Sequence, residues 1–368
     1  MNAASPSATA RLQRLDGYLR QDPENAALRA EACEAALACG RNDLAEGYLA
    51  EGERMAPQLP QWQFQRAHLC IARRDLASAR ALLEPLRRTL GDLPVLVHDL
   101  AYVALLQGDA STSHALLQPW MQACNGDDLV GRMQAHWLRA CHHLGRLEEG
   151  WAWARSMEAE GALHPDAAGV ASLIGVDLDE VPAACALAQV ALAADEAHPE
   201  ALVALGSAAL SAGAPGEALP LFERALRRNP DDGRTWSASG FANLLAGRHA
   251  EAGVHFEKAL ETLPDHVPTW QALGWTRILL GDRNGAMAAF AAALARDEDS
   301  AQGQATQAIA HIFAGEREAG ARHLARAERI DPEDGTTVLA RVLMAGHLAD
   351  GDPQDVARRL LSQWRPRP

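Results

Sequence analysis

Residues 231–264, DDGRTWSASGFANLLAGRHAEAGVHFEKALETLP, and residues 265–298, DHVPTWQALGWTRILLGDRNGAMAAFAAALARDE, are two passes through one 34-residue pattern. The period governs all of His198–Glu333. Gly206, Gly240 and Gly274 stand 34 apart, with Ala308 in the fourth place. Ala218, Ala252 and Ala286 keep the same step, as do Phe222, Phe256 and Phe290, then Ala225, Ala259, Ala293 and Ala327. Pro230, Pro264 and Pro332 close three of the four units. Ala218, Phe222 and Ala225 fall at i, i+4 and i+7, one face of a helix. Small alanines let paired helices approach, and the phenylalanine fills the gap between units. The glycines mark crossings too close for a side chain, where a bulky residue overpacks at a cost of roughly 1–3 kcal/mol. A proline stops each unit and sets the turn into the next.

The order Trp270, Leu273-Gly274, Gly281, Ala286, Phe290, Ala293 resembles the tetratricopeptide repeat, a helix–turn–helix unit that stacks into a superhelix. The resemblance implies an all-α, right-handed superhelical solenoid of about ten helix–turn–helix units with a helical cap at each end. It also implies a protein that holds other proteins together.

Turn glycines carry the ruler outward from the clear repeats: Gly40, Gly108, Gly145, Gly213, Gly247, Gly281 and Gly315. Gly40 to Gly108 and Gly145 to Gly213 are each two periods, with Arg74 and Asp179 where glycines are missing. Only Gly108 to Gly145, at 37 residues, breaks the rule, which places a three-residue insertion near Asn125–Val130. The last turn is expected near Asp350-Gly351. The expected organisation is a tail and capping helix (1–22, helix Ala8–Arg20), units 1–3 (23–126), degenerate units 4–5 (127–197), four well-matched units (198–333) and a C-terminal hairpin cap (334–368) with a helix over Pro353–Trp364 and Arg358 and Arg359 facing water. The poorest match lies around Gly169–Asp195, so local opening is expected to begin between Gly145 and His198.

Composition narrows the function. A net charge of −14 argues against nucleic acid as the main partner. Lys258 is the only lysine among 34 basic residues, which reads as the codon bias of a GC-rich bacterial genome. No run of about 18 apolar residues is present to span a bilayer. The start, MNAASPSATARLQRL, has no apolar stretch of the secretory kind, and the six cysteines (Cys33, Cys39, Cys70, Cys124, Cys141, Cys185) show no CxxC pairing. A reduced cytoplasmic protein is expected. HExxH, GxSxG, a Walker-type GxxxxGK[ST] and GxGxxG are all missing, so no enzyme and no cofactor are expected. His142-His143, pointing about 100° apart on a helix, suits one metal ion poorly, so no metal is expected either.

The family's first helices line a concave surface, and its outward positions contact the ligand. Carried over by spacing, these are Phe241, Trp275, Ile309 and Leu343, with Leu244, Ile278 and Ile312 three residues further on and Leu245, Leu279 and Phe313 beside them. Packing between neighbouring first helices is the competing role for Leu244, Ile278 and Ile312. In the amino-terminal half the equivalent places hold Glu34, His68, Tyr102 and Arg139, near Phe64, His98 and His142; Arg139 has the fork that grips a carboxylate. Asn243, Arg277 and His311 stand where the pattern favours apolar residues, and Gln304 and Gln307 where the previous unit has Trp270 and Leu273. If buried, these polar groups must bond one another or a ligand.

The expectation is a non-catalytic scaffold binding a peptide or amphipathic helix, with no nucleic acid and no membrane insertion. Two rivals stand beside it: a regulatory or substrate-selecting subunit of a transferase or hydroxylase supplied in trans, and a peptide-sensing regulator. The oligomeric state is not legible.

Overall fold

The computed structural model describes residues 6–122, 128–346 and 354. Every regular element among them is helical. After α1 (Pro6–Gln21) the helices come in pairs: α2 (Ala26–Ala38) and α3 (Asn42–Met55), α4 (Pro60–Ala72) and α5 (Leu76–Leu90), α6 (Pro94–Leu106) and α7 (Ala110–Leu117), α8 (Asp128–His143) and α9 (Leu147–Ala159). The series continues with α10 (Pro165–Asp177) and α11 (Val181–Ala194), α12 (Pro199–Ser211) and α13 (Pro215–Arg228), α14 (Gly233–Leu245) and α15 (His249–Thr262), α16 (Val267–Leu279) and α17 (Arg283–Leu294), α18 (Ala301–Phe313) and α19 (Arg317–Ile330), and then α20 (Gly335–Met344). This is the all-α solenoid of helix–turn–helix pairs. The chain divides into two compact units, residues 1–174 and 175–368.

Local chemistry sets the ends of these helices. Asn25, Asp75, Asp109, Asp282, Ser300 and Asp334 each accept a hydrogen bond from a backbone N–H of the first helical turn. Pro60, Pro94 and Pro199 open their helices at the position where a missing N–H costs nothing. Within each pair the turn carries a residue at positive φ. Gly40, Gly108, Gly145, Gly213, Gly247, Gly281 and Gly315 all do so, and Arg74 and Asp179 hold the same conformation at φ 62°.

The ruler thus gives nine helix pairs among the described residues. The tenth departs from it: α20 ends at Met344 and Gly346 takes the positive φ, ahead of the expected turn. Asp350-Gly351, all but Gln354 of the helix expected over Pro353–Trp364, Cys124 and half of the expected insertion lie outside the described residues. The α1 helix spans the capping segment expected at Ala8–Arg20.

Packing explains the sequence period. A methyl group added at Gly206, Gly240 or Gly274 would fall within 3 Å of the Phe222, Phe256 or Phe290 ring, and all three rings are fully buried. The next unit solves the same crossing differently. Ala308 replaces the glycine and Leu324 the phenylalanine, both buried, so the Cβ gained on one helix is matched by bulk lost on the other. Among the described residues no helix is long and apolar enough to cross a membrane.

Candidate functional site

The residues expected to line a binding face divide sharply by burial. In the second unit, Ile309 is 0% exposed, and Leu343, Leu244 and Ile278 are also buried. They belong to two apolar clusters, one built around Phe256, Leu273 and Phe290, the other around Ala308, Leu324 and Ala340. For these four the expectation of partner contact is corrected: each is packed into its apolar cluster and is at most 5% exposed. Phe241 and Trp275, at the same register as Ile309, remain half-buried. Phe241 sets its ring edge-on to Phe256 at 5.0 Å, and Trp275 does the same to Phe290 at 5.3 Å. Trp275 touches both clusters. Leu245, Ile312 and Phe313 are half-buried beside them.

One further residue meets this face. Gln354 lines a cavity of about 90 Å³ together with Ile278, Gly281, Ala310 and Phe313. Its side-chain nitrogen would lie 3.6 Å from a Cβ placed on Gly281.

Asn243, Arg277 and His311 do not form a polar pocket. Asn243 is buried, and its amide donates to Ser239 O at 3.0 Å and to His255 Nδ1 at 3.3 Å. Arg277 is drawn to Asp282, the N-cap of α17, and to Glu257 on α15. His311 Nδ1 meets Glu316 at 2.7 Å, and its ring stacks on His323. The correction has a common cause. Arg277–Asp282 and His311–Glu316 are both five residues apart across a helix–helix turn, so these side chains brace their own hairpins, and Arg277 also ties to the preceding one through Glu257, rather than bonding one another.

The first unit fills the equivalent register with a hydrogen-bonded cluster. Asp99, on α6, is buried and receives His68 Nε2 at 2.6 Å and His98 Nδ1 at 2.8 Å. His136, on α8, stacks on Tyr102 at 5.1 Å and lies 5.1 Å from the His98 ring. Arg139 Nη1 reaches His136 Nδ1 at 3.1 Å, and Phe64 packs on His68 at 4.3 Å. Burial alone would raise the Asp99 carboxyl, but the hydrogen bonds from His68 and His98 outweigh it and hold it below the usual range. Burial, then the charge of Arg139, keeps His136 well below its ordinary value. A neutral His136 is the acceptor that the Arg139 contact requires.

Sequence reading reached Tyr102, Arg139, His68 and His98 but missed the two residues that organise them, Asp99 and His136. The available signal was Asp99 itself, the one acid in the apolar helix PVLVHDLAYVALL. Glu34 is exposed, and His142 is half-buried with its ring edge-on to His143. Elsewhere burial makes thiols inert: it pushes Cys33 and Cys141 up to about 12. Among the described residues no group of three or more His, Cys, Asp or Glu is arranged to hold a metal ion.

Family models described as tetratricopeptide repeat match residues 176–232, 203–267 and 243–310. No curated protein matches the chain. Solved structures with similar folds include MamA, at 16% identity over 42% of this chain and 91% of that one, TM-score 0.40. YrrB, described as a TPR protein with an unusual peptide-binding site, is 19% identical over 51% and 96%, TM-score 0.43. A tetratricopeptide repeat protein from Parabacteroides merdae is 16% identical over 68% and 98%, TM-score 0.42.

Proposed function

Because this chain is a tetratricopeptide-repeat protein, a class built for protein interaction, we propose that it is a non-catalytic scaffold that grips an apolar peptide or amphipathic helix on the first-helix face of its second unit. The observation that carries this reading is the pair Phe241 and Trp275. They occupy one register position in successive repeats, and each large ring is only half-covered. Each rests edge-on against a fully buried phenylalanine, so it is held rigid while presenting its outer face. Rigid, partly desolvated aromatics are the usual anchors of binding energy. Leu245, Ile312 and Phe313 extend the strip, the i/i+3/i+4 lattice an amphipathic helix reads.

The test is site-specific photo-crosslinking during affinity capture, followed by mass spectrometry. A crosslinker replacing Phe241 or Trp275 is expected to trap one partner peptide, whereas one replacing Glu251, exposed on α15, traps none. Trp275→Ala should weaken capture at a cost of about 2 kcal/mol or more in binding. It also loosens the Phe290 contact, so its helical content and melting temperature must be read alongside. Capture that persists unchanged in a folded Trp275→Ala variant, or crosslinks confined to Tyr102 and Arg139, would move the site to the first unit.

A further inference from the structure

At three successive repeats the first helix carries a side chain that donates to the carbonyl six residues before it. Trp236 Nε1 reaches Pro230 O at 2.7 Å, Trp270 Nε1 reaches Pro264 O at 2.7 Å, and Gln304 Nε2 reaches Glu298 O at 3.1 Å. Gln304 therefore reproduces the hydrogen bond of the indole and omits its ring. Its amide oxygen is also occupied, accepting from His323 Nδ1 at 2.9 Å. His323 stands at the register where His255 meets the Trp236 ring edge-on at 4.9 Å.

The ring's place is left open. Gln304 and Gln307 line a cleft of about 650 Å³, with Leu294, Ala295, Arg326 and Ile330 among its other walls. Leu294 matches Leu260, which packs in the same cluster as Trp270. Ile330 matches Arg296, whose guanidinium covers the Trp270 ring at 5.0 Å. Here nothing is covered, and Ile330 is left 46% exposed. A second observation points to a ligand with a hydrogen-bond donor. Gln307 is only 7% exposed, and its Oε1 is buried without a hydrogen-bond partner. A buried acceptor left unsatisfied is costly, and such an atom in a cleft wall calls for a donor from outside.

We propose that this cleft is a binding site for an indole ring presented by a peptide, the ring lying between Leu294 and Ile330 and its N–H donating to Gln307 Oε1. The preceding repeat shows that this lattice position accommodates an indole, because Trp270 occupies it. The site lies at the start of α18, shares no lining residue with Phe241 and Trp275, and stands or falls independently of the face described above.

The test uses the full chain with N-acetyl-L-tryptophanamide as the probe, titrated by ligand-detected NMR, with N-acetyl-L-leucinamide and free tryptophan as comparison arms. Saturable binding of the tryptophan amide is expected, at least tenfold tighter than the leucine amide and no weaker than free tryptophan. Gln304→Trp supplies the ring from within and should abolish binding, with helical content kept and melting temperature unchanged or raised. Gln307→Leu keeps the wall's size and removes the acceptor, so it should weaken binding about tenfold, and it serves alone if Gln304→Trp fails to fold. The proposal is overturned by absence of saturable binding at millimolar probe, by equal binding of the leucine amide, or by a folded variant that binds like the parent. Markedly tighter free tryptophan would overturn the peptide-borne assignment.

Discussion

The two units solve one packing problem with opposite chemistries. Where first helices of neighbouring repeats meet, the second unit uses hydrocarbon: Leu244 and Ile278 are buried at one register position of successive repeats, and Ile309 is buried about one helical turn earlier in the next. The first unit places Asp99 and His136 in the corresponding seam and satisfies them with His68, His98 and Arg139. An apolar seam owes its strength to burial and ignores pH. A polar seam holds only while each donor finds its acceptor, so its strength depends on protonation. The comparison shows that a 34-residue lattice fixes where side chains meet and leaves open what they are made of.

The sharpest way to break the comparison is to empty the apolar seam. Ile309 is wholly buried in one cluster with Ala308, Leu324 and Leu343. Ile309→Ala should cost about 2–5 kcal/mol, the range for truncating a buried aliphatic side chain. Urea unfolding of the variant should show this cost undiminished between pH 7.5 and pH 5. A cost that shrinks to near zero at either pH would mean the seam is not held by burial.

Acid probes the polar seam. His136 is buried, faces Arg139, Arg132 and His98, with Asp99 as the opposing charge, and is held neutral in the folded chain. As pH falls through about 6.5, the ordinary histidine value, the unfolded chain takes up a proton that folded His136 refuses. The unfolded state then binds more protons, so stability is full above that value and is lost as pH falls. Asp99, held below the ordinary carboxylate range, adds a loss in the same direction at more acidic pH. Hydrogen exchange should therefore show protection in α6 and α8 falling between pH 7.5 and pH 5. His136→Asn should remove most of that dependence; α6 and α8 protection unchanged by acid would refute the account.

How much of this was legible follows from the physics of each position. The Gly–Phe crossings were legible because close helix contact restricts residue size, and restriction repeats. Register was legible too, but exposure was not: Ile309 and Trp275 share one lattice point, yet one is sealed and the other half-open. What covers a first-helix position is a side chain one repeat away, which a single period does not specify. Arg277 and His311 misled for a similar reason, since their acids lie five residues on, across a turn. The cluster around Asp99 was half-read, because polar residues on three helices carry no mark of which share a hydrogen bond.

The smallest effect tests the feature the two units share, their turn. Arg74 in the first unit and Asp179 in the second hold φ at 62°, and their hydrogen bonds match those of a glycine turn. Arg74 N reaches Ile71 O at 3.0 Å and Asp75 N reaches Cys70 O at 2.9 Å. Gly40 N reaches Leu37 O at 2.9 Å and Arg41 N reaches Ala36 O at 2.8 Å in the same pattern. The lattice therefore demands the left-handed conformation whichever residue stands there. A side chain pays about 1–2 kcal/mol for it, and glycine returns part of that gain through its greater freedom in the unfolded chain. Arg74→Gly should thus stabilise the first unit by about 1 kcal/mol. Asp179→Gly should gain less, because aspartate tolerates this conformation better than arginine. Denaturant unfolding of the two single variants checks both the sign and the order. A loss of stability in either would show that its side chain contributes more than its backbone costs, and that the turn is not an element common to the two units.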